Sequence, residues 1–292
     1  MGSPFPDWIK QSWASGESSE FIKSMVSRLG LHTVCQSARC PNQSECWERR
    51  TATFMILGNV CTRNCSFCSV PSGHPEALDS EEPARVAEAI RELSIKHAVI
   101  TSVTRDDLPD GGAAHFARTV EAVRAANPGT TVEVLVPDFL GAEAPIRTVL
   151  ASVPEVFGHN IETVERLYDS LRRRKVRYHD ALRVLETAAA NHTGSIVKSA
   201  LMLGHGEAPA EVRNTLSDLL AAGCEAVAIG QYLRPSPKQR RVTEFIAPEQ
   251  FKEYEATALQ MGFKFAIAGP FVRSSYRSEE LLQRLNPAET DK

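Results

Sequence analysis

Cys61-Thr62-Arg63-Asn64-Cys65-Ser66-Phe67-Cys68 places three thiols within eight residues, in the pattern CxxxCxxC. Thiolates at this spacing on a loop can hold three irons of a cubane iron–sulfur cluster. The fourth iron then keeps an open site for a small ligand. Structural zinc is the competing use, but it wants four ligands, usually as a close pair plus a distant second pair. A second set lies just upstream: Cys35-Gln36-Ser37-Ala38-Arg39-Cys40-Pro41-Asn42-Gln43-Ser44-Glu45-Cys46, a CxxxxCxxxxxC. It again offers three thiols, with structural cysteines or a zinc loop as the alternatives. The chain has seven cysteines, an odd number, and six fall between Cys35 and Cys68. Such crowding points to metal or redox chemistry rather than disulfides. The seventh, Cys224, follows Gly223 and precedes an apolar run, which suits a buried small hydrophobe.

These loops need a scaffold, and the pattern supplies one. Short apolar, β-branched runs at 53–57, 98–103, 132–136, 156–161, 196–203 and 226–229 alternate with amphipathic helical patterns. Val86, Ile90 and Leu93 share one helical face, as do Phe116, Val120 and Val123. A further helix starts at Pro209, carries Val212, Leu216 and Leu219, and stops at Gly223. The alternation implies parallel strands joined by right-handed crossovers. Six units predict an α/β fold, a partial (β/α)6 TIM-type barrel open on one side, with a doubly wound open sheet as the competing topology. Residues 51–233 would form this barrel. Residues 1–50 would be an N-terminal cysteine-rich extension and 234–292 a C-terminal one.

Polar or special residues follow almost every strand: Gly58-Asn59, Thr104-Arg105-Asp106-Asp107, Pro137-Asp138, Asn160, Gly204-His205-Gly206-Glu207 and Gln231-Tyr232. Ligands of parallel α/β folds sit at the carboxyl ends of strands. Gly204 and Gly206 would let backbone approach a cofactor closely, although a plain turn uses glycines equally well.

Bulk properties exclude several classes. A net charge of −3 argues against a nucleic-acid binder that works by bulk electrostatics. The basic run Arg172-Arg173-Arg174-Lys175, with Arg177 close behind, suits a solvated helix end or a docking patch for an acidic partner. No apolar run approaches the roughly 20 residues that span a bilayer. Residues 1–10 lack the apolar core of a secretory leader. A cytoplasmic chain without a membrane or nucleic-acid partner is expected.

The order CxxxxCxxxxxC, then CxxxCxxC after the first strand, then Gly269-Pro270-Phe271-Val272-Arg273-Ser274-Ser275-Tyr276 resembles the lipoyl synthases, a family of the radical S-adenosylmethionine (SAM) superfamily. Similar stretches run nearly end to end, among them Arg105-Asp106-Asp107-Leu108, Val136-Pro137-Asp138-Phe139 and Ile229-Gly230-Gln231-Tyr232-Leu233. The resemblance implies two 4Fe-4S clusters. Cys61, Cys65 and Cys68 would hold the one that binds SAM, with Phe67, Asn160, Gly204 and Gly206 as cofactor contacts. Cys35, Cys40, Cys46 and Ser275 would hold an auxiliary cluster, Ser274 being the alternative to Ser275. The implied reaction is SAM-dependent radical insertion of two sulfur atoms at C6 and C8 of a protein-bound octanoyl-lysine, with the auxiliary cluster as sulfur donor. Implied partners are octanoylated lipoyl carrier domains (the acyltransferase subunit of dehydrogenase complexes, the glycine cleavage H protein) and an electron donor such as flavodoxin or ferredoxin. Departures from the family pattern stand at Ala181, Ala200, His205, Gln239-Arg240-Arg241 and Ser278. Two rivals are another radical SAM sulfur-inserting enzyme and a noncatalytic iron–sulfur or zinc module.

Overall fold

The computed structural model describes residues 5–10, 16–171, 177–191 and 194–285. Within them one sheet runs in sequential order: β1 Thr53–Ile56, β2 His97–Ser102, β3 Thr131–Leu135, β4 Val156–Gly158, β5 Ile196–Leu203, β6 Ala226–Gln231 and β7 Phe265–Gly269. Every neighbouring pair is parallel. The described residues pair β1 only with β2 and β7 only with β6, so the barrel is open between its edge strands. The helices are α1 Glu17–Arg28, α2 Val34–Ser37, α3 Gln43–Glu48, α4 Glu82–Leu93, α5 Ala113–Ala126, α6 Glu143–Ala151, α7 Glu165–Leu171, α8 Tyr178–Ala190, α9 Pro209–Ala221, α10 Pro248–Met261 and α11 Glu279–Leu285. Among the described residues no helix is long and apolar enough to cross a membrane.

All four residues of β1 are buried, as expected for a parallel sheet covered on both faces. Its outward-facing Phe54 and Ile56 share one core with Ile100, Val132 and Val134 of the next two strands, and with Val86 and Ile90 of α4 and Phe116 and Val120 of α5. Fully burying such side chains stabilises by about 1.5–3 kcal/mol each. The α9 prediction holds at both ends. Pro209 opens the helix, and Gly223 follows it at φ +84°, where a methyl would also crowd Ala189. Cys224 is buried, and burial pushes its thiol pKa well above the ordinary range.

The six strands predicted from pattern are present, and a seventh joins them from the run at 265–268. It pairs with β6 from Ala226↔Phe265 to Gly230↔Gly269. Beyond β7 the chain turns back beneath the barrel. Leu281 of α11 packs with Val156, Ala226 and Phe265, and Val272 packs with Ala200 and Ala228. A methyl on Gly230 would collide with the Val272 carbonyl. Small residues at 200, 228 and 230 therefore make room for the segment that follows β7. The barrel also holds a buried polar layer. Lys198 Nζ donates to both Glu133 oxygens at 2.9 and 3.0 Å, and His97 Nε2 lies 3.3 Å from the same carboxylate. Burial alone would raise the Glu133 pKa, but Lys198 and His97 hold it below the ordinary value.

The basic run at 172–175 lies outside the described residues. Arg177, at the start of α8, is exposed, and its guanidinium is 3.6 Å from Asp180.

Candidate metal centres

The first cysteine triplet sits on the loop leaving β1. Leu57 and Gly58 adopt left-handed backbone at φ +69° and +86°, which turns the chain sharply off the strand. The loop then closes on itself: Cys61 N donates to Pro71 O at 2.8 Å and Gly73 N to Cys61 O at 2.9 Å. Two backbone N–H groups, from Arg63 and Thr104, donate to Cys61 Sγ at 3.4 Å. Burial, with Cys65 and Cys61 adding to it, pushes the Cys68 thiol up to about 12. A thiol raised this far stays neutral until a cation joins it.

The loop is anchored by a charge clamp. Arg63 donates to Asp106 at 2.7 and 2.9 Å and also pairs with both oxygens of Asp138. Asp106 and Asp138 were recognisable as strand-end polar residues, whereas Arg63 was hidden inside the cysteine motif. From the opposite side the segment after β6 docks on the same loop: Gln239 Nε2 donates to Cys68 O at 3.1 Å and Arg240 N to Ser66 O at 2.9 Å. The departures at 239–240 thus touch the loop backbone directly.

The second triplet spans two short helices. Cys35 is in α2, Cys46 in α3, and Cys40 N donates to Cys35 O at 3.0 Å between them. Burial, then Cys40, raises the Cys35 thiol to about 11, and burial, then Cys35 and Cys40, raises Cys46 to about 12. All six motif cysteines are free thiols. Among the described residues no three metal-ligating side chains converge tightly enough for one bare ion. A cubane, by contrast, spreads its cysteines over separate corners.

A cavity of about 330 Å3 joins the two loops. Cys68, Phe67 and Asn160 line one end, and Cys35, Cys40 and Cys46 another, with Ser274 and Ser275 beside them. Cys61 and Cys65 lie on the same loop as Cys68 without lining the cavity. The wall between the ends is largely apolar, including Met55, Val99 and Leu135. Thr53 Oγ1 donates to Ser275 Oγ at 2.9 Å, which fixes the serine beside the start of β1. Three further contacts tie its segment to the second cysteine loop: Asn42 Nδ2 donates to Phe271 O at 2.6 Å, Tyr276 OH to Glu45 at 3.0 Å, and Arg49 to Glu279 at 2.6 Å.

Gly204 and Gly206, expected as cofactor contacts, do not line this cavity. A side chain on Gly204, at φ +111°, would strike the Gln231 amide and the Glu244 carbonyl, so the close approach is to the protein's own chain. Glu207 Oε2 accepts the backbone N–H groups of Gly204, His205 and Gly206 at 2.9, 2.9 and 3.1 Å. His205 is buried, stacked 4.2 Å from the Tyr232 ring, and neither ring nitrogen has a partner. Burial, aided by the Arg240 charge, depresses its pKa to about 4.

Comparison with known proteins places this arrangement. Residues 55–219 match the profile of the Radical SAM superfamily. The barrel resembles methylornithine synthase, with a TM-score of 0.53 at 14% identity over 79% of both chains. It also resembles the FeFe-hydrogenase maturase of Carboxydothermus hydrogenoformans, with a TM-score of 0.57 at 15% identity over 78% of this chain and 64% of that one. Such low identities establish shared fold alone. Sequence goes further. The chain is 51% identical to a lipoyl synthase of Caldanaerobacter subterraneus over 94% of its own length and 95% of the relative's. It is 48% identical to one of Thermus thermophilus, covering 94% and 86%. With two cysteine loops and a serine segment meeting at one cavity, and with that identity over nearly the whole chain, this protein belongs to the lipoyl synthase family within the radical SAM superfamily.

Proposed function

We propose that the chain converts a protein-bound octanoyl-lysine to lipoyl-lysine, replacing one C–H bond at C6 and one at C8 by C–S bonds. The observation that carries this reading is that Cys68, the second cysteine triplet and Ser275 all face one largely apolar cavity. When bound, a 4Fe-4S cluster at Cys61, Cys65 and Cys68 supplies the electron that cleaves SAM, and a second at Cys35, Cys40, Cys46 and Ser275 supplies the sulfur.

The chain's own residues do the rest. Arg63, held by Asp106 and Asp138, keeps the first loop in place before and after loading. Phe67 and Asn160 are the side chains at that end placed to contact SAM, and Met55, Val99 and Leu135 keep water from a reactive carbon radical. Ser275 is assigned as the auxiliary ligand; its hydroxyl accepts from Thr53 and it lines the same cavity as the second triplet, which supports the choice. An oxygen ligand is a poorer match to iron than thiolate, which suits a cluster that must release sulfide. The partners proposed are octanoylated lipoyl carrier domains, reaching the cavity through the open side of the barrel, and a flavodoxin- or ferredoxin-type electron donor.

The test is anaerobic incubation of the reconstituted protein with an octanoylated carrier domain, SAM and reductant, followed by mass spectrometry of the carrier. Gain of two sulfurs with loss of two hydrogens is expected. 5′-Deoxyadenosine formed without any sulfur-bearing carrier would overturn the assignment.

A further inference from the structure

Four arginines line the cavity, Arg39, Arg49, Arg273 and Arg277, and of these Arg273 alone is not exposed. Arg273 lines it beside Cys40, Ser274 and Ser275. Its recorded hydrogen bond goes only to the carbonyl of its own neighbour, from Nη1 to Val272 O at 2.7 Å. Among the described residues no carboxylate pairs with it, and the ionisable group that interacts with it is the Cys40 thiol. Two other arginines near the first loop, with buried side chains, are neutralised: Arg63 by Asp106 and Asp138, Arg105 by Asp107. Arg273 is half-buried, and a cation taken out of water without a counter-charge is costly unless an anion occupies the space next to it. The fold also makes deliberate room for it. A methyl on Gly230 would approach Arg273 Nη1 to 3.2 Å, besides colliding with the Val272 carbonyl.

We propose that Arg273 is the built-in counter-ion of the auxiliary cluster, a positioning residue whose charge both retains that cluster and raises its reduction potential. Three thiolates and a serine alkoxide outweigh the charge of a 4Fe-4S core, so the assembly is anionic, and net charge is one of the levers that set cluster potential. In a site of low dielectric a single adjacent cation acts strongly. The asymmetry between the two loops follows. Arg63 on the first loop has its charge offset by two aspartates, whereas Arg273, on the segment that packs beside the second loop, is left for the cluster.

This rests on the auxiliary-cluster reading, so the experiment separates the two. The starting protein is Cys61→Ala/Cys65→Ala/Cys68→Ala, which keeps only the second site. About four irons per chain are expected in it after anaerobic reconstitution. No iron there would sink the auxiliary-cluster reading itself. On this background Arg273→Met and Arg273→Lys are compared by iron content and by a redox titration followed by electron paramagnetic resonance, with circular dichroism melting as a check on folding. Arg273→Lys should keep its iron and a potential near that of the parent. Arg273→Met should either lose iron or titrate at a more negative potential. If the two variants behave alike, whether both loaded at one potential or both empty, charge is not what Arg273 contributes and the inference fails.

Discussion

Replacing Arg63 by methionine tests whether charge holds the first cluster loop in place. The guanidinium and its partners Asp106 and Asp138 have side-chain exposures of 7%, 7% and 0%. Burial alone would lower the arginine pKa, yet hydrogen bonds and charge from the two aspartates more than offset it and hold the value above normal. Removing the cation strands two desolvated carboxylates facing each other. Breaking a buried pair by removing one partner costs about 3–5 kcal/mol. Whole-protein stability is roughly 5–15 kcal/mol, so the loss is a large fraction of it. The corresponding fall in Tm is on the order of 10 °C. Thermal unfolding of the reconstituted protein would be read alongside iron content and 5′-deoxyadenosine formation. Adding Asp106→Asn and Asp138→Asn to Arg63→Met removes the stranded charge and should recover most of the Tm. SAM cleavage should stay low in that triple variant, because the loop still lacks its anchor. An Arg63→Met protein melting within about 2 °C of the parent and cleaving SAM at the parent rate would refute the clamp.

Three other outcomes follow from the same geometry. Replacing Cys61, Cys65 and Cys68 by alanine should halve an iron load of about eight per chain and abolish SAM cleavage, whereas replacing Cys35, Cys40 and Cys46 should halve it and leave some cleavage; iron analysis and 5′-deoxyadenosine assays decide. Ser275→Ala should keep SAM cleavage but block thiolation, with Ser274→Ala as the control, and full activity of both variants would dismiss a serine ligand. The depressed His205 pKa, about 4 against the ordinary 6.5, means the unfolded chain binds the extra proton between those values. Stability should therefore fall by up to about 3 kcal/mol as pH drops from about 6.5 towards 4. His205→Leu should flatten that slope in a series of melts, and an unchanged slope would assign the acid sensitivity elsewhere.

The repeating part of the fold was legible because each unit carries its own local signal. The run at 132–136 alternates its packing faces, and α9 is bracketed by Pro209 and Gly223, so neither needs distant information. β7 was harder, since an apolar run as short as Phe265–Gly269 says nothing about which strand it will join. That choice is made by α10, which packs against both β6 and β7. Both cysteine triplets were legible from spacing alone. Ser275 was not, because a lone serine belongs to no ligand pattern, and only resemblance to a family singled it out. At Gly204 a strand-end glycine suggested cofactor approach, and the space its missing side chain leaves is taken by Gln231 and the Glu244 carbonyl. Arg63 was overlooked because charge clamps depend on loops after different strands, and their pairing is a property of the closed barrel.

The hydrogen bond from Thr53 to Ser275 spans 222 positions of sequence, and that separation sets an order of events at birth. A ribosome delivers the chain from its N-terminal side at about 5–20 residues per second. The thiols at 35, 40 and 46 therefore emerge well before the serine segment exists to join them. During that interval the segment 265–285, whose Val272 and Leu281 fill the barrel from below, is still absent, and the barrel interior stands unfilled. Closing so long a loop is also a late folding event. Iron delivered during synthesis would meet the thiols at 35, 40 and 46 before Ser275 could join them.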